Sequence, residues 1–344
     1  MSELCFLNAA LRARSNLFLR MDCLDEMLRN PGAGSMIGIL SGTRYAESLK
    51  HRQQIDCPVS RITSAIAAVV EEEISLTLKR AGDRIGSYLK LFLARWDILS
   101  LKAIFSCRIA GRKMENTRWF PSGVLNSREC LLLSRGGFKE AVATLQSRPE
   151  AIFRDCARLF GDPLVTGSVD RLCFTLDQCY FNHVFGGKNS RDAGLSQLQS
   201  AMRIELDRRN IMEVLHALMR GNGLEWRPAS HFGSLSIGFL NRLAASGTVD
   251  DALEMLLSTP YSKAVQEGLL LYEHTGELSF IERLIEKKLQ LFLRRESLLN
   301  PLSLALPLHY INHLINESLN LNLIALSPAY GLTPNLVRRE LIIA

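Results

Sequence analysis

Apolar positions along this chain recur in steps of three and four. In the opening segment they fall at Leu4, Leu7, Leu11, Leu17, Met21, Leu24 and Leu28, which predicts one long amphipathic helix closed by Asn30-Pro31-Gly32. Arg14 lies near the apolar phase, so its stem is expected to be buried with its head reaching outward. Ile62 to Val70 followed by Glu71-Glu72-Glu73 reads as the apolar face and acidic end of a second helix, and 141–145, 250–257 and 280–293 carry the same signature. Sustained period-two alternation with hairpin turns is missing from the sequence, and the brief Leu/Asn alternation at 319–323 is too short to mark a strand. The expected fold is all-α.

The helical pattern repeats. Asp97, Asp207 and Glu317 are spaced by 110 residues, and so are Gly111, Gly221 and Gly331. Apolar positions between acid and glycine correspond as Leu101, Ile211, Leu321 and Ile104, Val214, Ile324, and the residues just before the first set are Ser100, Asn210 and Asn320. Upstream landmarks agree: LSGTRYAESL at 40–49, LQSRPEAIF at 145–153 and LLSTPYSKAV at 256–265. The chain therefore divides into 1–112, 113–222 and 223–344, the last including a tail after 332. Each acid is expected at a helix N-terminus, where the exposed N–H groups favour negative charge, and each glycine just past a C-terminus in left-handed conformation. The third copy meets Pro328 before its glycine, so its helix should stop about one turn early.

Composition adds bounds. The 344 residues exceed one small core, and 47% hydrophobic with 22% charged residues suits a soluble globular chain rather than disorder. Net charge is +6 with acids and bases mixed, and the densest basic cluster, Lys287-Lys288 with Arg294-Arg295, reads as a solvated helix face rather than a nucleic-acid footprint. The eight cysteines lie before residue 180 without a CxxC pair, as expected of free thiols in a reducing compartment. Arg12, Arg14 and Arg20 interrupt any signal-peptide core, and no window offers about 18 uncharged apolar residues for a membrane span.

Candidate chemistry is sparse. GAGSMIG at 32–38 follows a helix, not the strand that a dinucleotide loop requires. His309 and His313 have zinc-helix spacing, but Tyr310 stands where HExxH has its glutamate and a third ligand is missing; Cys179 and His183 share the spacing. GGKN at 186–189 is no Walker A loop, and a GxSxG elbow is absent. No metal, cofactor, small-molecule substrate or nucleic acid is expected, and no catalytic group. The acids at 97, 207 and 317 read as helix caps or interface positions.

The triple acid–polar–leucine–glycine helix resembles the C-subunit family (d-subunit in eukaryotes) of the vacuolar/archaeal-type rotary ATPases and ATP synthases. Asp97 to Lys102 with Arg108 and Gly111 match the family pattern in the first copy; Asp207, Asn210, Ile211, Arg220 and Gly221 in the second; Asn320 to Ile324, Gly331 and VRREL at 337–341 in the third. ALRA at 10–13 and T-x-Y at 43–45 and 259–261 add to the likeness, whereas Ser100, Ser147-Arg148-Pro149 and Ser327-Pro328 depart from it. The resemblance implies a funnel of three pseudo-symmetric helical units around a pseudo-threefold axis. It further implies a non-catalytic central-stalk rotor component on the cytoplasmic membrane face. There it would join the central shaft, built of the D and F subunits, to the membrane proteolipid ring and transmit torque between ion transport and ATP hydrolysis or synthesis. Asp97, Lys102, Asp207, Asn210, Arg220, Glu317 and Asn320 are the candidate contacts or caps. Two readings compete with this one. A helical-repeat interaction scaffold would ordinarily have shorter, open-ended repeats, and an enzyme built on His309 and His313 lacks a third group.

Overall fold

The computed structural model describes residues 2–112, 123–186, 192–221 and 226–343. Among them every regular element is helical: α1 (Ser2–Ser15), α2 (Met21–Arg29), α3 (Ala33–Leu40), α4 (Ala46–Lys50), α5 (Pro58–Arg80), α6 (Gly82–Ile109), α7 (Ser127–Arg135), α8 (Phe138–Gln146) and α9 (Ala151–Leu159). Then follow α10 (Pro163–Thr166), α11 (Val169–Phe185), α12 (Ala193–Met219), α13 (Ile237–Ala244), α14 (Val249–Leu256), α15 (Ser262–Thr275), α16 (Ser279–Leu299), α17 (Ala305–Leu326) and α18 (Pro334–Glu340). The all-α expectation holds. Residues 187–189 of the GGKN stretch, and the copy boundaries at 113 and 222, lie outside the described residues.

Packing gathers the chain into two compact units: Met1–Ile85, Ile211–Trp226 and Gly238–Ala344 form one, Gly86–Asn210 and Arg227–Ile237 the other. Dividing lines fall inside α6 and α12, after Trp226, and after the first residue of α13.

In the first unit, α5 lies against α17, α17 against α16 and α1, and α16 against α15. Ile62, Ile66, Leu7, Leu11, Ile311 and Leu314 are buried at their contacts. The predicted opening helix is broken. α1 ends at Ser15 and α2 starts at Met21, because residues between them are used elsewhere. The Leu19 N–H donates to Glu317 at 2.6 Å. The Phe18 ring lies 4.2 Å from that of His313, and the Arg44 guanidinium sits over Phe18 while donating to the Leu17 carbonyl. These tertiary contacts outweigh the local helical pattern.

Arg14 also departs from expectation: its head turns toward Glu73, with Nε donating to Oε2 at 2.9 Å and a second guanidinium nitrogen to Oε1. Tyr310 donates its hydroxyl to the same carboxylate at 2.8 Å. Burial alone would raise the Glu73 carboxyl, but Arg14 and Tyr310 outweigh it and hold the acid below its ordinary range. The acidic triplet is thus no helix end. α5 continues to Arg80, and Glu73, seven residues after Ile66, falls on the buried stripe.

The second unit packs Phe92 and Leu93 of α6 with Leu176, Tyr180 and Phe181 of α11 and Met202 of α12, all buried. An ionic cluster lies within it. Arg209 donates to Asp177 at 2.8 Å and to Glu205 at 3.1 Å, Arg208 to Glu205 at 2.7 Å, and Lys102 to Asp177. Burial would raise Glu205, but Arg208 and Arg209 override it and keep the acid well below the carboxylate range. Each buried charge is paired, the condition under which it is tolerated.

Gly111, Gly221 and Gly331 have φ of 66°, 75° and 65°, the left-handed conformation expected of helix-closing residues. The third long helix does stop early. α17 ends at Leu326, and Pro328 sits in a 3-10 turn, Ser327–Tyr330, that carries the chain to Gly331.

Glu73→Ala is expected to cost roughly 3 kcal/mol, because it leaves the Arg14 head and Tyr310 hydroxyl without their shared acceptor. Urea unfolding followed by circular dichroism measures it, and an unchanged midpoint would contradict this account.

Candidate functional site

The three repeated acids are not helix caps. Asp97, Asp207 and Glu317 sit in the interiors of α6, α12 and α17 and are 1%, 0% and 5% exposed. A carboxylate there has no helix N–H groups to receive, since those are spent within the helix. It receives backbone N–H groups from a remote segment instead. Asp97 accepts from Val124 at 2.8 Å and Leu125 at 3.1 Å. Asp207 accepts from Ser234 at 3.1 Å and Leu235 at 3.3 Å, and also from the Ser234 hydroxyl. Glu317 accepts from Leu19 on one oxygen and from the Tyr45 hydroxyl on the other, at 2.8 Å.

The pattern repeats in detail. Leu125, Leu235 and Leu19 each stand two residues before a helix, α7, α13 and α2. A chain entering a helix carries N–H groups with no helical partner, and the buried acid satisfies them. Gly123 and Gly233, 110 residues apart, lie against the Asp97 and Asp207 carboxylates, where a Cβ would overlap them. In the third instance Leu17 stands two residues before Leu19, where the others have glycine. The backbone cannot close as tightly there, and the acid is Glu, one methylene longer. Gly-x-Leu at the same period was the sequence signal for these partners, and it lay outside the reading based on acids and helix ends.

Burial raises the Asp97 carboxyl to about 8, against the pull of its two N–H donors and of Arg148. Burial also raises Glu317, opposed by Leu19, Arg44 and Tyr45.

The asparagines likewise serve the interior. Asn210 accepts from the Ala229 N–H at 3.1 Å. Asn320 accepts from the Ile342 N–H at 3.0 Å and donates to its carbonyl at 2.9 Å, tying the C-terminal segment to α17. Lys102 is spent on Asp177. Of the seven candidate positions, Arg220 is the exposed one. As candidate contacts to partners, Asp97, Asp207, Glu317, Asn210 and Asn320 are corrected: these side chains are buried and hold backbone. The acids engage different segments and do not converge. Among the described residues, three or more His, Cys, Asp or Glu side chains nowhere gather as metal ligands.

The two T-x-Y motifs have one geometry. Thr43 and Thr259 donate to the carbonyls of Leu40 and Leu256 and accept from the N–H groups of Tyr45 and Tyr261, while both tyrosine rings are buried. Where the second copy has Ser147-Arg148-Pro149, Arg148 pairs with Glu129 at 2.9 Å and Glu150 at 3.2 Å.

His309 and His313 are turned into α17 packing. His313 Nδ1 pairs with the Gln290 amide at 2.9 Å, and Gln290 in turn accepts from Asn312. Burial lowers both imidazoles to about 4. No helix among the described residues is long and apolar enough to cross a membrane.

A family model described as ATP synthase (C/AC39) subunit matches residues 7–340. The C subunit of the A-type ATP synthase of Thermococcus kodakarensis is 20% identical, the match covering 96% of this chain and 88% of that one. Its counterparts in Pyrococcus furiosus, at 21% over 90% and 82%, and Methanothermobacter thermautotrophicus, at 22% over 97% and 86%, are similar.

Gly123→Ala and Gly233→Ala should each cost roughly 2–3 kcal/mol by forcing the loop off its acid, whereas Gly111→Ala, with open space but positive φ, should cost about 1 kcal/mol. Equal losses in chemical denaturation would refute the close-approach argument. Because the folded-state values of His309 and His313 lie below the ordinary 6.5, their neutral burial contributes fully above about pH 6.5 and is lost as pH falls toward 4. Unfolding free energy should therefore drop by a few kcal/mol over that window, and a His309→Asn/His313→Asn double variant should flatten the drop.

Proposed function

The chain belongs to the ATP synthase (C/AC39) subunit family, and on that footing we propose that it is a non-catalytic central-stalk component of an A/V-type rotary ATPase. In this reading it is peripheral to the cytoplasmic face of the membrane, joins the shaft of D and F subunits to the proteolipid ring, and passes torque between ion transport and ATP chemistry. The observation that carries the proposal is the family match over 7–340, nearly the whole chain.

The physical demands of the role are met. An adaptor between rotating parts must resist shear, and densely packed long helices do so. The acid–backbone hydrogen bonds support a three-copy reading: the acid of the first copy holds backbone opening the second, that of the second holds backbone opening the third, and Glu317 of the third holds Leu19 of the first. That succession is what three related copies would be expected to share.

With the repeated polar residues spent internally, contacts to partners fall on other side chains. Leu298 and Leu299 in the last turn of α16, and Leu302 in the turn before α17, are 71%, 62% and 62% exposed, and exposed apolar residues gathered along the chain in this way mark an interaction surface. We assign it to the proteolipid ring, the most apolar of the proposed partners.

Affinity capture of the tagged chain from detergent-solubilised membranes should bring down proteolipid together with both shaft subunits. Capture without any of them would overturn the stalk reading in favour of an interaction scaffold. A Leu298→Ser/Leu299→Ser/Leu302→Ser variant should retain the shaft subunits and lose proteolipid; full retention of proteolipid would reject the assignment of this surface.

A further inference from the structure

The helices α9 and α11 pack together and bring two thiols, an imidazole and a carboxylate to one place. Cys156 and Asp155 are neighbours on α9. Cys179 and His183 are one turn apart on α11 and so share a face. His183 Nε2 lies 2.9 Å from Asp155 Oδ2, which orients the ring. Cys156 and His183 are both near enough to the Cys179 sulfur to act on its protonation. Cys156 is fully buried, whereas Cys179 is half-buried and opens, with His183, Asp155, Thr175 and Asn182, onto a surface concavity of about 430 Å³.

The packing does not demand a thiol here. The residues 110 positions before and after Cys179 are Val69 and Leu289, both buried aliphatics. The two thiols differ in protonation. The Cys156 hydrogen bond, reinforced by His183, lowers Cys179 to about 6, while giving that bond, together with burial, raises Cys156 well above the thiol range. Cys179 is thus the nucleophile and Cys156 a protonated thiol held beside it. His183 has its own affinity for a proton raised by Cys179 and Asp155, which suits it to hand a proton to a leaving oxygen.

We propose that Cys179 is a site of oxidative modification, at which a hydroperoxide oxidises its sulfur and Cys156 resolves the product as a Cys156–Cys179 disulfide. In the first step the Cys179 thiolate attacks the peroxide O–O bond. One oxygen stays on sulfur as the sulfenic acid, and the other leaves as hydroxide or alkoxide, taking a proton from His183. In the second step the Cys156 sulfur attacks the Cys179 sulfur, the S–O bond breaks, and water departs with the Cys156 proton. The dithiol loses two electrons and the peroxide gains them. A small oxidant fits the half-buried sulfur, and Cys156, on the packed neighbouring helix, intercepts the sulfenic acid before over-oxidation. The product links α9 covalently to α11, and a thiol reductant reverses it. This inference is independent of the role proposed for the chain in a rotary complex.

The test treats the full-length reduced protein with one equivalent of hydrogen peroxide at neutral pH and maps peptides by mass spectrometry. The expected result is a cross-linked 156/179 peptide pair lighter by two hydrogens and restored by dithiothreitol. In Cys156→Ser a dimedone adduct should instead accumulate on Cys179. The exposed Cys57 serves as an internal reference. Cys179 should react faster than Cys57, and His183→Gln should slow it about tenfold. Absence of the cross-link in the wild-type protein, or oxidation of Cys57 as fast as Cys179, would overturn the proposal without recourse to any variant.

Discussion

A buried carboxylate that accepts backbone N–H groups is the interaction on which the rest of this structure turns. Taking such a group out of water is costly unless its oxygens are hydrogen-bonded, and a chain bending into a helix exposes N–H groups that are equally costly to bury alone. Asp97, Asp207 and Glu317 join the two needs, since each supplies acceptor oxygens to donors that would otherwise be buried alone. The bond fixes where a long helix meets the entry to a short one, so the directions of both are set by a single side chain. That in turn dictates Gly123 and Gly233, because only a residue without Cβ lets the backbone reach the acid.

The three instances show how one solution is adjusted. Two use Asp with glycine; the third uses Glu with Leu17 and gains Tyr45 as a second donor. The Tyr45 hydroxyl thereby links a T-x-Y turn to α17, while Tyr261, in an equal turn, packs under Lys288 instead. Asn210 and Asn320 follow the same logic one turn along their helices, each holding a further backbone segment. Polar residues are thus spent on backbone placement, and the apolar ones fill the space that placement defines.

Other buried charges obey the same constraint. Glu73 is shared between Arg14 and Tyr310, and Asp177 between Lys102 and Arg209, so that no described member of these sets stands without an opposite charge or donor. Such networks resist deformation, because any shift strands a charge in low dielectric. This suits a chain proposed to carry load, and it leaves the half-buried Cys179 beside Cys156 as a place where chemistry rather than packing accounts for the residue types.

From the sequence alone, periodicity identified most of the helices, the 110-residue spacing picked out three acids with one backbone-holding role, and glycine and proline marked where the long helices end. The resemblance in the leucine-rich helices led to the family. Local pattern could not show that the acids lie in mid-helix, because a helix interior and a helix start look alike until the upstream turns are known. Nor could it show that Leu19 leaves the helical path, that Arg14 turns inward, or that the chosen interface residues face backbone. Those outcomes depend on partners tens to hundreds of residues away, and only the tertiary structure decides which donor meets which acceptor once water is excluded.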